Sequence, residues 1–528
     1  MLIESVCIVG GGSSGWMSAA IFSKSFPDME ICLVESDKIK TIGVGESTLG
    51  QFNRFLKRVG LYGRDKEWMP KCNATYKTSI AFKNFREGKG ERFQYPFGRF
   101  DLLDYKDNLM RFFELQCHHP EQYPPEEFAT FANWQTLLAD HNKITQEIPN
   151  SLFDFNEDTA YHLDATKFGE YLKNEICEDV KHITGEVEDV IKRPDGSIKA
   201  ITTKDGNYIG ADLFLDCTGF RSLLLEQHMG SKFQPFHDQL YNDKAIACHV
   251  EYDDREKEME NVTDCTALSS GWAWNIPLWN RIGVGYVYSS CYTNPEAATQ
   301  EFYAYLKERF GRYPKLLAPQ DIDIRHGKRE NAWVKNVIGI GLSYAFIEPL
   351  ESTGLMTTHE NLIFLVDKIA CNNNKINNFD RQSYNYSVDN LTEVMKNFIV
   401  LHWVLSNRED TPYWKSITND VNIPLSYTDI KDHLTHSALV NTYSLMDSVS
   451  NSFFTPDKLA GALYLAAGMD ARPLNPMLYN EKADDERRST VEDIHYNYQH
   501  QKQNMLEWVK EQPSHYEYLK DNIYVESV

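Results

Sequence analysis

Ten cysteines are scattered through the 528 residues without one CxxC pair. Neither a disulfide framework nor a zinc site is expected from that spacing. Several of them sit in apolar, strand-like runs, where cysteine packs as a small hydrophobe. Adjacent residues such as Cys117-His118-His119 do not converge on one ion unaided, so no metal is expected. Long apolar runs are missing too: none approaches the roughly twenty residues that cross a bilayer. Met1 to Ser5 has no basic stretch or small-residue cleavage site and leads straight into the apolar Val6-Cys7-Ile8-Val9. The expectation is a cytoplasmic protein with no membrane partner. Basic surplus is lacking as well. The net charge of −22 argues against nucleic acid, whose phosphates are held by clustered Lys and Arg. A small molecule is the expected partner. No internal repeat is visible, and the one low-complexity patch, Asn372 to Asn378, reads as a surface loop.

What is present is an alternation of strand-like and helix-like segments, the mark of α/β architecture. Val6–Val9, Ile31–Glu35, Leu213–Cys217 and Val337–Ile340 read as buried strands, and about Gly15 to Phe26 as a helix. Gly10-Gly11-Gly12-Ser13-Ser14-Gly15 fills the GxGxxG pattern between the first strand and that helix. Gly10 permits the tight turn, Gly12 admits the pyrophosphate to the backbone, and Gly15 lets helix and strand pack closely. The pyrophosphate would rest on the helix N-terminus beside Ser13 and Ser14. Glu35 ends the second strand twenty residues after Gly15, the spacing of an acid that binds ribose hydroxyls and disfavours a 2′-phosphate. Thr218-Gly219-Phe220 and Gly339-Ile340-Gly341 look like later elements of a flavin enzyme, so FAD is expected over NAD. A second sheet is expected between His249 and Tyr288, a strand at Ile198 to Thr203, and helices from about Asp380 onward. The last of these is a polar amphipathic stretch from Glu492 to Leu519.

Four further segments stand out: Thr41 to Ser47 with Gly45 and Glu46, Tyr76 to Ile80 with Lys77, Gly271 to Pro277, and Glu348 to Gly354. By themselves the residues leave bland readings open. Lys77 reads equally as a strand-edge surface lysine, Glu351 as an acid serving a helix N-terminus, and Trp272 and Trp274, at strand spacing, as core.

Taken together these segments resemble the flavin-dependent halogenases of the tryptophan-halogenase family. The resemblance lies in GxGxxG followed by Trp16-Met17, in WxWxIP at Trp272, Trp274, Ile276 and Pro277, and in EPLESTG at 348 to 354. It implies an α/β fold: a Rossmann-like FAD-binding domain of flavin monooxygenase type, a second sheet, and a largely helical C-terminal substrate-binding part. The expected division is 1–370, with inserted substrate-facing segments at about 90–160, and 371–528. It further implies that FAD, reduced by a separate flavin reductase, acts with O2 and halide to produce hypohalous acid, which Lys77 guides to an electron-rich aromatic. Glu351 would polarise the oxidant or take the ring proton. Thr353 and Gly354 would offer N–H groups to the halide. Trp272 and Trp274, with Ile276 and Pro277, would separate flavin from substrate, and Gly45, Glu46 and Gly341 would border the flavin. A lysine in an apolar setting, whose charged form is disfavoured, suits that role, as does a carboxylate acting as proton acceptor.

The chain departs from the family where tryptophan-specific members carry an FWNNSNYY-like stretch: Phe453-Phe454-Thr455-Pro456 stands there instead. Tyr95, followed by Pro96 and the retained Phe97, replaces a histidine of the family. The pocket, formed by these residues with Ser352, Phe453 and Phe454, is therefore expected to take an indole- or phenol-like aromatic rather than free tryptophan. Chloride, bromide and iodide stay open, as does a homo-oligomer. The alternatives are an FAD-dependent aromatic monooxygenase and a non-catalytic flavin-binding protein.

Overall fold

Val6 to Val9 are apolar at successive positions, and a strand apolar on both faces belongs in the middle of a covered parallel sheet. In the computed structural model, which describes residues 1–38, 45–98, 111–419, 464–471 and 485–525, that is where they lie. The strand Ser5–Val9 runs parallel to Leu213–Asp216 on one side and Glu30–Glu35 on the other. Six strands follow the order Trp333–Val334, Val337–Gly339, Leu213–Asp216, Ser5–Val9, Glu30–Glu35, Lys181–Thr184, with Trp333–Val334 antiparallel at the edge. The helix Ser13–Ser25 makes the crossover between the first two strands and buries every residue from Gly15 to Phe22. It packs against a second helix, Thr353–Cys371.

The expected strand at Ile198 to Thr203 is the centre of a three-stranded antiparallel sheet with Val187–Lys192 and Tyr208–Gly210. Its Val190, Ile198, Ile201 and Ile209 share one core cluster with Cys7, Val9, Phe214 and Val337. Burying each such side chain contributes about 1.5–3 kcal/mol. These elements belong to a compact unit made of Met1–Ala74, Ala160–His237 and Ile324–Lys396.

The other unit comprises Thr75–Thr159, Asp238–Asp323 and Asn397–Val528. Its seven-stranded sheet is the second sheet expected near His249 to Tyr288. The order is Leu316–Asp323, Lys244–Val250, Ile282–Tyr288, Gly271–Pro277, Val262–Leu268, Ser79–Lys83, Arg92–Pro96. Val262–Leu268 and Ser79–Lys83 form its parallel pair. Ala298, Phe302, Tyr305 and Leu306 form one face of the helix Pro295–Phe310, at i, i+4, i+7 and i+8, and pack with Ile246, Cys248, Val284 and Tyr286. Asn294 caps that helix by accepting from the Ala297 N–H at 2.8 Å, Pro295 follows as its first residue, and left-handed Gly311 ends it.

Each unit is drawn from three separated stretches, so the two interleave along the chain. From Asn378 onward the described residues are mainly helical, in agreement with the sequence pattern. The amphipathic stretch Glu492 to Leu519 is two helices, Asp485–Lys510 and His515–Asn522. Pro513 lacks the N–H needed to continue the first, and Ser514 with Glu517 forms a capping box that starts the second. All ten cysteines are free thiols. Among the described residues no helix is long and apolar enough to cross a membrane.

Candidate active site

In the first unit the glycine loop leaves the central strand through Gly10, whose φ of +112° lies where side chains other than glycine are strained. A Cβ there would stand 2.3 Å from the Cys217 carbonyl oxygen, and one on Gly15 would stand 1.8 Å from that of Gly10. No side chain caps the helix that follows Gly12, so its first N–H groups and the positive end of its dipole remain for an anion. Ser14 packs against left-handed Gly341, where a Cβ would meet the Ser14 hydroxyl oxygen at 2.3 Å. Ser13 donates from its hydroxyl to the Ala165 carbonyl at 3.5 Å. This cradle is shaped for the pyrophosphate of a dinucleotide and fits FAD. Glu35 ends the neighbouring strand and is held by Lys173 at 3.0 Å and His182 at 2.7 Å.

Sequence reasoning passed over the role of Asp216. This fully buried carboxylate accepts from Thr218 N, Thr218 Oγ1, Leu224 N, Leu225 N and Ser343 Oγ at 2.6–3.2 Å. It thereby ties the turn after Leu213–Asp216 to the Gly341–Ser343 turn, the two later elements read as flavin-like. An aspartate closing an apolar strand before Thr-Gly was the available signal.

Gly45, buried and at φ +96°, leads into Glu46–Ser47, which pairs with His162 and Leu163. Burial pushes the Glu46 carboxyl up to about 7. Pro349–Glu351 is a single 3-10 turn, followed by Ser352 at φ +57° and then the helix Thr353–Cys371. A left-handed serine is strained by about 1–3 kcal/mol and persists only where its surroundings enforce it. Here its hydroxyl donates to Ser47 Oγ at 2.9 Å, and the Thr353 hydroxyl donates to the Glu348 carbonyl at 3.1 Å. Glu351 is fully buried. Among the described residues no side chain caps this 19-residue helix, and none lies within 4 Å of where a Gly354 Cβ would be. Thr353 and Gly354 therefore present N–H groups at a helix N-terminus with open space before Gly354, an arrangement able to hold a small anion.

In the second unit Lys77 closes the strand Thr75–Lys77 and is fully buried, which excludes a surface lysine. Its Nζ lies 5.0 Å from the Phe97 ring centroid, within cation–π range. The local frame is rigid: Thr75 Oγ1 donates to the Pro277 carbonyl at 2.6 Å, Thr78 N to Asn261 O at 2.9 Å, and Phe97 N to Thr78 O at 2.9 Å. The antiparallel register Ser79↔Pro96 and Ile80↔Tyr95 brings the Tyr95-Pro96-Phe97 run beside Lys77. Tyr95 packs with Phe97 at 6.0 Å and also with Tyr464 at 5.8 Å and Phe398 at 6.4 Å. The last two were not foreseen, since nothing local in the sequence joins residues so far apart.

Trp272 and Trp274 share one face of Gly271–Pro277 with ring centroids 6.0 Å apart; both are buried, as are Ile276 and Pro277. Gly285 on the next strand makes room for Trp274, whose ring would be 2.2 Å from a Cβ there. The Trp274 Nε1 and both amide atoms of Asn275 are buried without a hydrogen-bond partner among the described residues. Such groups are costly inside a protein. Lys77 and the tryptophans belong to one unit, Glu351 and the glycine loop to the other. Phe453 and Phe454 lie outside the described residues.

Comparison with known proteins fits this geometry. The family model for tryptophan halogenase matches residues 5–482. A tryptophan 6-halogenase of Streptomyces toxytricini, SttH, is 35% identical over 435 residues, which cover 78% of this chain and 80% of the relative. Among solved structures, the apo structure of VirX1 is 45% identical with a TM-score of 0.86, covering 99% of this chain and 100% of the other. A flavin-dependent halogenase from Xanthomonas campestris is 27% identical with a TM-score of 0.81, covering 98% of each chain.

Proposed function

The chain belongs to the tryptophan halogenase family and is a flavin-dependent halogenase, and from that premise we propose that it halogenates an indole- or phenol-like aromatic other than free tryptophan, with Lys77 guiding the hypohalous acid. The observation that carries this reading is the complete burial of Lys77 against the Phe97 ring. Lys77 carries three N–H donors on a flexible four-carbon stem. Beside an aromatic wall of Phe97 and Tyr95 it can donate a hydrogen bond to the oxygen of hypohalous acid and draw electrons from the halogen. FAD, reduced by a separate reductase, supplies with O2 the two-electron oxidation that turns halide into hypohalous acid.

The remaining work falls to this chain's residues. Gly10, Gly12, Ser13, Ser14 and Gly15 hold the pyrophosphate on the helix Ser13–Ser25, and Gly45, Glu46 and Gly341 border the flavin. Thr353 and Gly354 hold the halide through N–H groups of the helix they open, without a countercharge. Trp272, Trp274, Ile276 and Pro277 keep water from the oxidant and flavin from the substrate, which preserves halogenation over hydroxylation. When the ring carbon gains halogen, hydroxide leaves the halogen and the ring loses a proton. Glu351 accepts that proton. Tyr95, Pro96 and Phe97 line the substrate side beside Lys77, and Ser352 leads into the helix end that holds the halide.

The test combines the purified protein, a flavin reductase and NADH with chloride, bromide or iodide, against a panel of indoles, phenols and free tryptophan. Halogenated indole or phenol is expected in the mass spectrum. Product from tryptophan alone would overturn the substrate assignment, and hydroxylated product without halide would overturn the mechanism.

A further inference from the structure

Trp16, in the Gly15-Trp16-Met17 run, has no part in the reading above. It lies 4% exposed in the first turn after the glycine loop. Two basic side chains rest on its indole: Lys173 Nζ lies 5.2 Å from the ring and the His182 imidazole 5.5 Å, tilted by 55°. Both reach one carboxylate oxygen, Glu35 Oε1, at 3.0 Å from Lys173 Nζ and 2.7 Å from His182 Nε2. The backbone explains the convergence. His182 stands opposite Leu33 in the parallel pair, and Leu33 shares a strand face with Glu35. Lys173 sits in Leu172–Ile176, a π-helical turn that extends the helix Ala165–Tyr171; such turns concentrate at functional sites.

The other oxygen, Oε2, faces the glycine loop, where a Cβ on Gly11 would lie 1.6 Å from it. Gly11 occupies a variable position of GxGxxG, so the nucleotide does not demand glycine there. The Glu35 side chain lying across the loop does.

We propose that Lys173 and His182, both seated on the Trp16 indole, are positioning residues that grip Glu35 by Oε1 and so present Oε2 to the ribose hydroxyls of the adenosine half. This rests on the reading of the glycine loop as an FAD site. A carboxylate already held in one rotamer does not pay that ordering entropy on binding.

The experiment measures FAD, ADP and FMN binding to the purified full chain by calorimetry, for the wild type and for Lys173→Ala, Lys173→Arg, His182→Ala and Trp16→Leu, with melting temperature as a control. Lys173→Ala is expected to weaken FAD and ADP about tenfold, equivalent to 1.4 kcal/mol, and Lys173→Arg to restore most of the loss. FMN, which lacks the adenosine half, should not change. With 2′,3′-dideoxy-ADP, which offers no ribose hydroxyls, wild type and Lys173→Ala should bind alike. Equal weakening of FMN, or FAD and ADP affinities within twofold of wild type in variants that melt normally, overturns this proposal alone. A wild-type chain that binds neither FAD nor ADP overturns the flavin reading and this proposal together.

Discussion

The glycine loop and the tryptophan strand solve different problems with different materials. The loop is made of backbone: Gly10 at φ +112°, closely packed glycines and an uncapped helix N-terminus. The strand Gly271–Pro277 is made of side chains, two indoles seated by a glycine of the neighbouring strand. Backbone requirements restrict residue type at fixed local spacing. Side-chain requirements are met by register between strands that lie far apart in sequence. One region should therefore fail in cofactor binding and the other in chemistry.

The largest expected effect separates the two regions outright. Lys77→Ala should reduce halogenation by at least about a thousandfold while FAD affinity and halide-independent oxygen consumption persist; retained halogenation would refute the role of Lys77. Glu351→Gln should lower turnover by roughly a hundredfold with FAD affinity unchanged, read from steady-state rates and flavin titration. Gly10→Ala should do the reverse. Its Cβ meets the Cys217 carbonyl at a strained φ, costing about 3 kcal/mol, and FAD binding should weaken together with the melting temperature.

Gly285→Ala tests the second region at a smaller scale. Displacing the Trp274 ring should cost roughly 1–3 kcal/mol, change tryptophan fluorescence and raise the ratio of oxygen consumed to halogenated product. Unaltered fluorescence and coupling would show that the ring position is not set there. The smallest effect concerns Glu46, whose carboxyl is pushed by burial from the ordinary 4.5 up to about 7. Between those values the unfolded chain has released the proton and the folded chain retains it, so stability of the apoprotein falls as pH rises through that window. Glu46→Gln should remove the fall, measured by denaturant unfolding at pH 5 and pH 8.

Legibility followed the same division. Gly10, Gly12 and Gly15 were readable because a strand, a turn and a helix within some twenty residues dictate them. Lys77, Glu351 and the tryptophans were readable only as parts of a resemblance, since burial is not written in a single residue. Asp216, Asn275, Phe398 and Tyr464 went unrecognised because the contacts that give them meaning are non-local. Glu35 was correctly placed at the end of its strand, whereas the Lys173 and His182 grip upon it was invisible.

By itself the amino-acid sequence determined the α/β class, the glycine turn and the second sheet, because local periodicity and glycine spacing constrain the backbone directly, and its motifs carried the family resemblance. Only the tertiary structure decided that Lys77 is buried on an aromatic ring, that Ser352 is forced left-handed before an open helix end, and that Glu35 is held by one oxygen. Each of those depends on which distant segments the sheets bring together, and that pairing is a property of the folded core rather than of any stretch of chain.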